Sequence, residues 1–265
     1  MATAARSLAS ARSLASASEN AYGPRVSVVV PARNEARNLE HVLPLLPPDI
    51  YEVILVDGGS TDDTIEIARG LYPAVRVVQQ RGNGKGDALV NGFAHARGDI
   101  VVMLDADGSA RPDEIPRFVE ALMSGADFAK GSRFLDGGGS VDITHLRSAG
   151  NVALTGIVNF LFRSRYSDLC YGYNAFWRDI LPRLALDASG FEIETQLNLR
   201  ALKAGLVVVE VPSHEDRRIH GVSNLNAFRD GIRVLGTILS ERLGRSRPTP
   251  WLQGVKAESA TEVAG

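Results

Sequence analysis

Two aspartates flank a single residue in Asp105-Ala106-Asp107-Gly108, directly after the wholly apolar run Ile100 to Leu104. In an extended segment the side chains at i and i+2 share a face, so both carboxylates can point at one ion. Magnesium and manganese take few carboxylates and complete their shell with substrate phosphates. Acidic pairs also cap strand-to-loop turns, so this pair draws its weight from its place behind a buried strand. Asp57 likewise closes an apolar run, and Gly58 and Gly59 after it let backbone approach a ligand; Ser60 to Asp63 is also an ordinary helix start. Lys85 lies in Gly82-Asn83-Gly84-Lys85-Gly86, where turn N–H groups, a helix N-terminus and an ammonium suit phosphate oxygens. This is not a Walker loop, because the spacing and the Ser or Thr after the lysine are missing. Phe191-Glu192-Ile193-Glu194 opens a helical pattern in which either acid can serve as general base, or both can simply favour the helix dipole. Arg217-Arg218-Ile219-His220-Gly221 adds cations and an imidazole, and the glycine loop Asp136 to Ser140 is a candidate mobile lid. A nucleotide diphosphate bound with a divalent ion needs this combination.

Such groups act together only if the chain delivers them to one edge. Short β-branched runs alternate with helical patterns: strand Arg25 to Val30, helix Glu35 to Leu46, strand Tyr51 to Val56, and a helix from Thr61 or Asp62 to about Tyr72. Strand Val75 to Gln79, helix Gly86 to Ala96 and strand Asp99 to Leu104 repeat the scheme, and Leu206 to Val211 is a later strand. This alternation predicts an α/β fold, a doubly wound, mostly parallel sheet with helices on both faces, whose ligand sits beyond the carboxyl ends of the strands. The polar segments above fall at those ends, as does Pro31-Ala32-Arg33-Asn34-Glu35 after the first strand. Helix Ala149 to Phe162 is apolar on most sides and is expected to be buried against the sheet. Leu225 to Leu243 is amphipathic, and both helices are candidates for contact with a membrane surface.

The totals narrow the classes. Lys plus Arg is 29 against 31 Asp plus Glu, a net charge of −2, so no basic field points to nucleic acid. The single cysteine, Cys170, excludes an internal disulfide and a Cys-based metal cluster, which fits a cytoplasmic setting. No run reaches the roughly 18 to 20 apolar residues of a membrane span, so any contact with the inner membrane face is expected to be peripheral. The five histidines show no paired metal spacing, and G-x-S-x-G is missing. Residues 1–22 repeat ARSLAS without the apolar core of a secretory signal and are expected to be a disordered tail, as are residues 244–265. The working domain is expected to span residues 23–243.

In order along the chain stand VSVVVPARNE, VILVDGGSTDDT, GNGKGDAL, VVMLDADG, KGSRF, DLCYGYNAF, GFEIE and RRIHGVSNL. The sequence resembles the family 2 glycosyltransferases of the GT-A fold over about Val26 to Leu243, and most of all the branch of dolichyl-phosphate mannose and glucose synthases. The resemblance implies an inverting displacement of a hexose from a nucleotide-diphosphate sugar, with UDP-glucose or GDP-mannose leading and Mg²⁺ or Mn²⁺ as cofactor. It implies that Pro31, Ala32, Asn34, Glu35 and the Asp57-Gly58-Gly59 turn bind the donor's base and ribose, with Lys85 nearby. Asp105, Ala106 and Asp107 would hold ribose and diphosphate, the two aspartates as metal ligands. Arg133 and Arg218 would approach phosphates or acceptor, and Glu194 matches the base of relatives whose acceptor is a hydroxyl. Asn174 and Asn224 stand where the lipid-phosphate enzymes usually carry cations, and Ser109 replaces a metal-side glutamine. A buried phosphate wants charged partners, so a soluble hydroxyl such as a nucleoside or other metabolite leads as acceptor, with a polyprenyl phosphate as alternative. Asp105-Ala106-Asp107-Gly108-Ser109 also resembles the start of a haloacid-dehalogenase-type phosphatase, but that motif belongs near the chain's start with paired aspartates on a later strand. A non-catalytic nucleotide-binding module is the third reading. Oligomeric state is left open.

Overall fold

The apolar runs become the centre of a seven-stranded sheet. In a computed structural model, which describes residues 23–222 and 226–244, the strands are β1 (Val26–Ala32), β2 (Glu52–Asp57), β3 (Arg76–Gln79), β4 (Ile100–Met103), β5 (Phe128–Ser132), β6 (Gly139–Ser140), β7 (Asn174–Trp177), β8 (Val208–Pro212) and β9 (His214–Glu215). The helices are α1 (Ala36–Val42), α2 (Thr64–Leu71), α3 (Lys85–His95), α4 (Ile115–Met123), α5 (His145–Phe162), α6 (Leu181–Leu184), α7 (Ile193–Lys203) and α8 (Ala227–Arg242). The expected tails, with their ARSLAS repeat, and Asn224 lie outside the described residues, apart from Gly244 at the margin of the second tail.

The large sheet runs β3-β2-β1-β4-β7-β5-β8. Every pairing in it is parallel except those of β7, which runs against both β4 and β5. All of β2 and β4, and all but Pro31 of β1, are buried, as near-continuous Val, Ile and Leu require when both faces of a parallel sheet are covered. Ala32 pairs with Asp57, so β1 and β2 end level, while Met103, the last residue of β4, pairs with Val29, so Leu104 to Asp107 leave the sheet three residues earlier toward the same edge. Their polar continuations therefore emerge at one edge.

Three sequence expectations change. Helix α1 stops at Val42 and tightens into a 3₁₀ turn over Leu43–Leu45, where Pro44 lacks the N–H an α-helix would use. Helix α5 does not lie on the sheet. It starts at His145, capped by Thr144, and packs on α8, sharing a second small core of Val158, Tyr166, Leu169, Leu199, Val234 and Ile238. Its other side is left open. The glycine loop Asp136 to Ser140 is no loose lid either, because Gly139–Ser140 forms a parallel ladder with His214–Glu215 and Gly139 donates to the Ser213 carbonyl.

Candidate active site

The edge where β1, β2 and β4 end opens into a cleft of about 930 Å³, a size that suits a small-molecule ligand. Pro31, Ala32, Asn34, Glu35, Gly58, Lys85, Asp105, Ala106, Asp107, Arg133, Glu194 and Arg218 all line it. Asp57 and Gly59 do not. The Asp57 carboxylate is buried behind the wall and accepts the N–H groups of Gly59 at 3.1 Å and Ser60 at 3.2 Å, an Asx-type arrangement that fixes the turn presenting Gly58. Asn34, with φ of 58°, locks this turn to the one after β1: its side-chain oxygen accepts the Thr61 N–H at 2.8 Å, and its own N–H donates to Ser60.

Lys85 reaches the floor of the cleft. Its Nζ lies 2.8 Å from Asp105 Oδ2 and 2.7 Å from Glu194 Oε1. Burial alone would lower the lysine's pKa, but the two carboxylates outweigh it and raise it. Burial raises the Glu194 carboxyl, against the pull of Lys85. Gly172 makes the pair possible: a Cβ there would fall 2.5 Å from Glu194 Oε1 and 2.9 Å from Lys85 Nζ. The glycine turn before α3 behaves differently from the sequence reading. Two of its first N–H groups are taken, because Gly86 and Asp87 donate to the Ser189 carbonyl at 2.8 and 3.2 Å. That crossing segment passes so close that a side chain at Gly84 or Gly86 would strike its carbonyl oxygens.

The loop after β9 closes the opposite wall. Arg218 forks onto Glu35, with both terminal nitrogens 2.9 Å from Oε1, and its Nε stands 3.4 Å from Asp107 Oδ2. That Nε is buried and makes no hydrogen bond. Burial raises the Glu35 carboxyl, Asn38 and Arg218 oppose the rise, and Asp107 and Asp105 add to it. Asn38 pins the same loop by bonding both the N–H and the carbonyl of His220. The Asp107 carbonyl accepts Ile219 N–H, and Asp107 Oδ1 accepts Ser109 N–H at 3.0 Å.

Arg133 is brought to the cleft, but its charge is already matched. Its guanidinium clasps Asp168 at 2.8 and 3.0 Å, reaches Glu215 at 3.0 Å, and lies over the Tyr171 ring. At this position the structure shows a cation that lines the cleft but is buried and held by a carboxylate on each side. Asp168 and Glu215 carry no local signal for this role, although Asp168 opens the DLCYGYNAF segment. Asn174 is corrected: it sits inside β7, fully buried and off the cleft, directly opposite Lys130 in register. A missing cation there says nothing about the cleft's charge.

With this geometry in place, residues 27–184 match the sequence pattern of glycosyl transferase family 2. The chain belongs to that family. Polyprenol monophosphomannose synthase of Mycolicibacterium smegmatis is 32% identical over 216 residues, 76% of this chain and 81% of that one. Dolichol-phosphate mannosyltransferase of Pyrococcus furiosus is 31% identical over 216 residues, again 76% of this chain but 59% of its own length. Among solved structures, glucosyl-3-phosphoglycerate synthase from Mycobacterium tuberculosis, in complex with Mn²⁺, UDP and glucosyl-3-phosphoglycerate, superposes with a TM-score of 0.63 at 26% identity, covering 83% of this chain and 80% of that chain. The mixed sheet is the GT-A arrangement, and this family 2 glycosyltransferase carries its Asp105–Asp107 pair where the motif leaves β4. The phosphatase and non-catalytic readings have no support from these likenesses.

Proposed function

We propose that the cleft takes a nucleotide-diphosphate sugar and transfers its hexose, with inversion, to a phosphate carried on a polyprenyl chain. The observation that carries the donor half is the orphaned Arg218 Nε beside Asp107, a buried N–H that an anionic diphosphate oxygen would satisfy. The donor set also fits a divalent ion. Asp105 and Asp107 are hard oxygen ligands two residues apart, and among the described residues no group of three or more His, Cys, Asp or Glu could hold a metal unaided, so donor phosphates would complete the shell. Asp105 and Asp107 would hold the ion, whose chemistry is to stabilise charge on the departing nucleotide. The Mn²⁺ and UDP of the mycobacterial synthase support this part. Pro31, Ala32 and Gly58 would form the wall for base and ribose, with Asn34 and Asp57 holding the two turns in place. Lys85 would face the donor from the floor, and Arg218 would bind the diphosphate. UDP-glucose and GDP-mannose remain the leading donors.

For the acceptor, the structure shifts the balance from a hydroxyl toward a phosphate. Glu194 is bonded to Lys85 and not poised alone, while an ionised phosphate needs no base. The likeness to polyprenol monophosphomannose synthase points the same way. A soluble hydroxyl is the second reading, favoured by the position of Glu194 on the cleft wall and by the phosphoglycerate synthase likeness. Glu194→Gln separates them. With polyprenyl phosphate as acceptor, turnover falls by no more than about tenfold, and an acid limb near the acceptor phosphate's second pKa of about 6 survives the substitution. A loss of about 10² to 10⁴, with transfer only to a soluble hydroxyl, would restore Glu194 as the base.

A further inference from the structure

Among the described residues, helices α5 and α8 each leave an apolar stripe uncovered. On α5 it runs through Leu146, Ile157 and Phe160, and on α8 through Phe228, Ile232 and Leu239, at helical spacing. Phe160 is 84% exposed and Phe228 80%, far more than isolated surface apolars need. The exposed charges on these helices are basic, although Arg229 and Arg233 both stand near the buried Asp230, at 3.5 and 3.6 Å. Helix α5 contains no acid at all, and the two acids of α8, Asp230 and Glu241, are both buried. Arg229, Arg233 and Arg242 of α8 are exposed, as are Arg163 and Arg165 just beyond α5, in a chain whose net charge is −2.

We infer that the α5–α8 face docks on an anionic lipid surface. Exposed aromatic and aliphatic side chains enter the headgroup boundary, while arginines without exposed acidic neighbours on these helices meet lipid phosphates. A second copy of the chain fits less well, because a two-fold contact through this face would set arginines of both copies against each other. Helix α5 starts at the cleft, and the described segment that precedes α8 ends there. Arg147, in the first turn of α5, lines it, and so does Val222, four residues before the Asn226 cap of α8. A buried ion pair then fixes α8 to the catalytic body: Glu241 bonds Arg200 at 2.7 Å, and it also bonds the exposed Lys203 at 2.6 Å, both on α7, the helix whose first turn carries Glu194. Docking therefore places the cleft mouth at the depth where a polyprenyl phosphate presents its headgroup. The inference deepens the lipid-acceptor reading and rests on it for its purpose, but its test reads lipid binding and not transfer.

The test is flotation of the full chain with vesicles of mixed phosphatidylcholine and phosphatidylglycerol, and with phosphatidylcholine alone. Partition into the anionic vesicles should exceed the neutral ones by about tenfold or more and weaken as salt is raised. The double substitution Phe160→Ser with Phe228→Ser should cut that partition by about tenfold or more. Circular dichroism and binding of nucleoside diphosphate should be unchanged, since neither residue touches the cleft. No partition, or partition indifferent to the double substitution, overturns the inference. So does a concentration-dependent dimer in sedimentation that the same substitutions abolish, which would give the face to a second copy. Vesicle binding without transfer to polyprenyl phosphate would leave the docking face standing and defeat the acceptor reading instead.

Discussion

Two clusters of carboxylates and cations line the same cleft and differ in how completely their charges are matched. On the donor side, Lys85 sits between Asp105 and Glu194, and Arg218 between Glu35 and Asp107, with one guanidinium N–H left without a bond. On the far side, Arg133 is clasped by Asp168 in fork geometry and by Glu215, with all three nearly or wholly buried. Residue types alone do not separate the clusters. Geometry does: Arg133 bonds a carboxylate through all three of its guanidinium nitrogens, a closed strut, whereas Arg218, although it forks onto Glu35, leaves its buried Nε without a hydrogen bond that a ligand's oxygen could fill.

The sharpest way to break this comparison is at the donor-side acids. Asp107→Ala should lower transfer by about 10³-fold or more, the scale of a lost electrostatic contact to developing charge, while the thermal midpoint stays close to that of the parent. Full activity of this variant in excess chelator, read by mass spectrometry of the product, would remove the metal from the proposal. The strut should respond in the opposite currency, stability. Asp168→Asn leaves Arg133 buried and half-paired and should cost about 3 to 5 kcal/mol in chemical denaturation.

That cost has a pH signature. Burial alone would raise the Asp168 carboxyl, but Lys130 and Arg133 outweigh it and hold it below the ordinary aspartate range. A depressed carboxyl stabilises the fold fully above its unfolded value of about 3.9 and loses that contribution as pH falls through the lower folded value. The gap between parent and Asp168→Asn should therefore be constant near neutrality and close only below about pH 4. A gap that closed already near pH 6 would show that Asp168 is not the ion-pairing group.

A smaller effect is expected at Asp57, which touches neither cluster. Since its oxygens hold the turn that presents Gly58, Asp57→Asn should weaken donor binding by about 1 to 3 kcal/mol through a loosened wall. Unchanged donor affinity by calorimetry would take the turn out of the binding site. Loss of affinity for purine and pyrimidine diphosphates alike would mark Asp57 as a positioning residue, and loss for one base alone as a direct reader of that base.

The succession of strands and helices through β4 and the edge where ligand-facing residues collect were legible in the sequence, because they follow from short-range rules. Continuous Val and Ile runs demand burial on both faces, and period and turn chemistry fix where each run stops. The Asp105-Ala106-Asp107 pair was legible as a motif behind a buried strand, but the chain turns at Ala106 and Asp107 instead of running on extended, and the two carboxylates meet different cations, Lys85 and Arg218. The sequence could not show which charges are free. Lys85 meets Glu194 across 109 residues, Arg133 meets Asp168 across 35 and Glu215 across 82, and Arg218 meets Glu35 across 183. Local spacing holds no record of such pairings, so Arg133 read as a phosphate binder and the α3 N-terminus as open, when a carbonyl from Ser189 already takes two of its N–H groups. Helix α5 shows the same division: its apolar composition fixed that it must bury surface, and only the packing of α8 against one side decided which face would be left to meet something else.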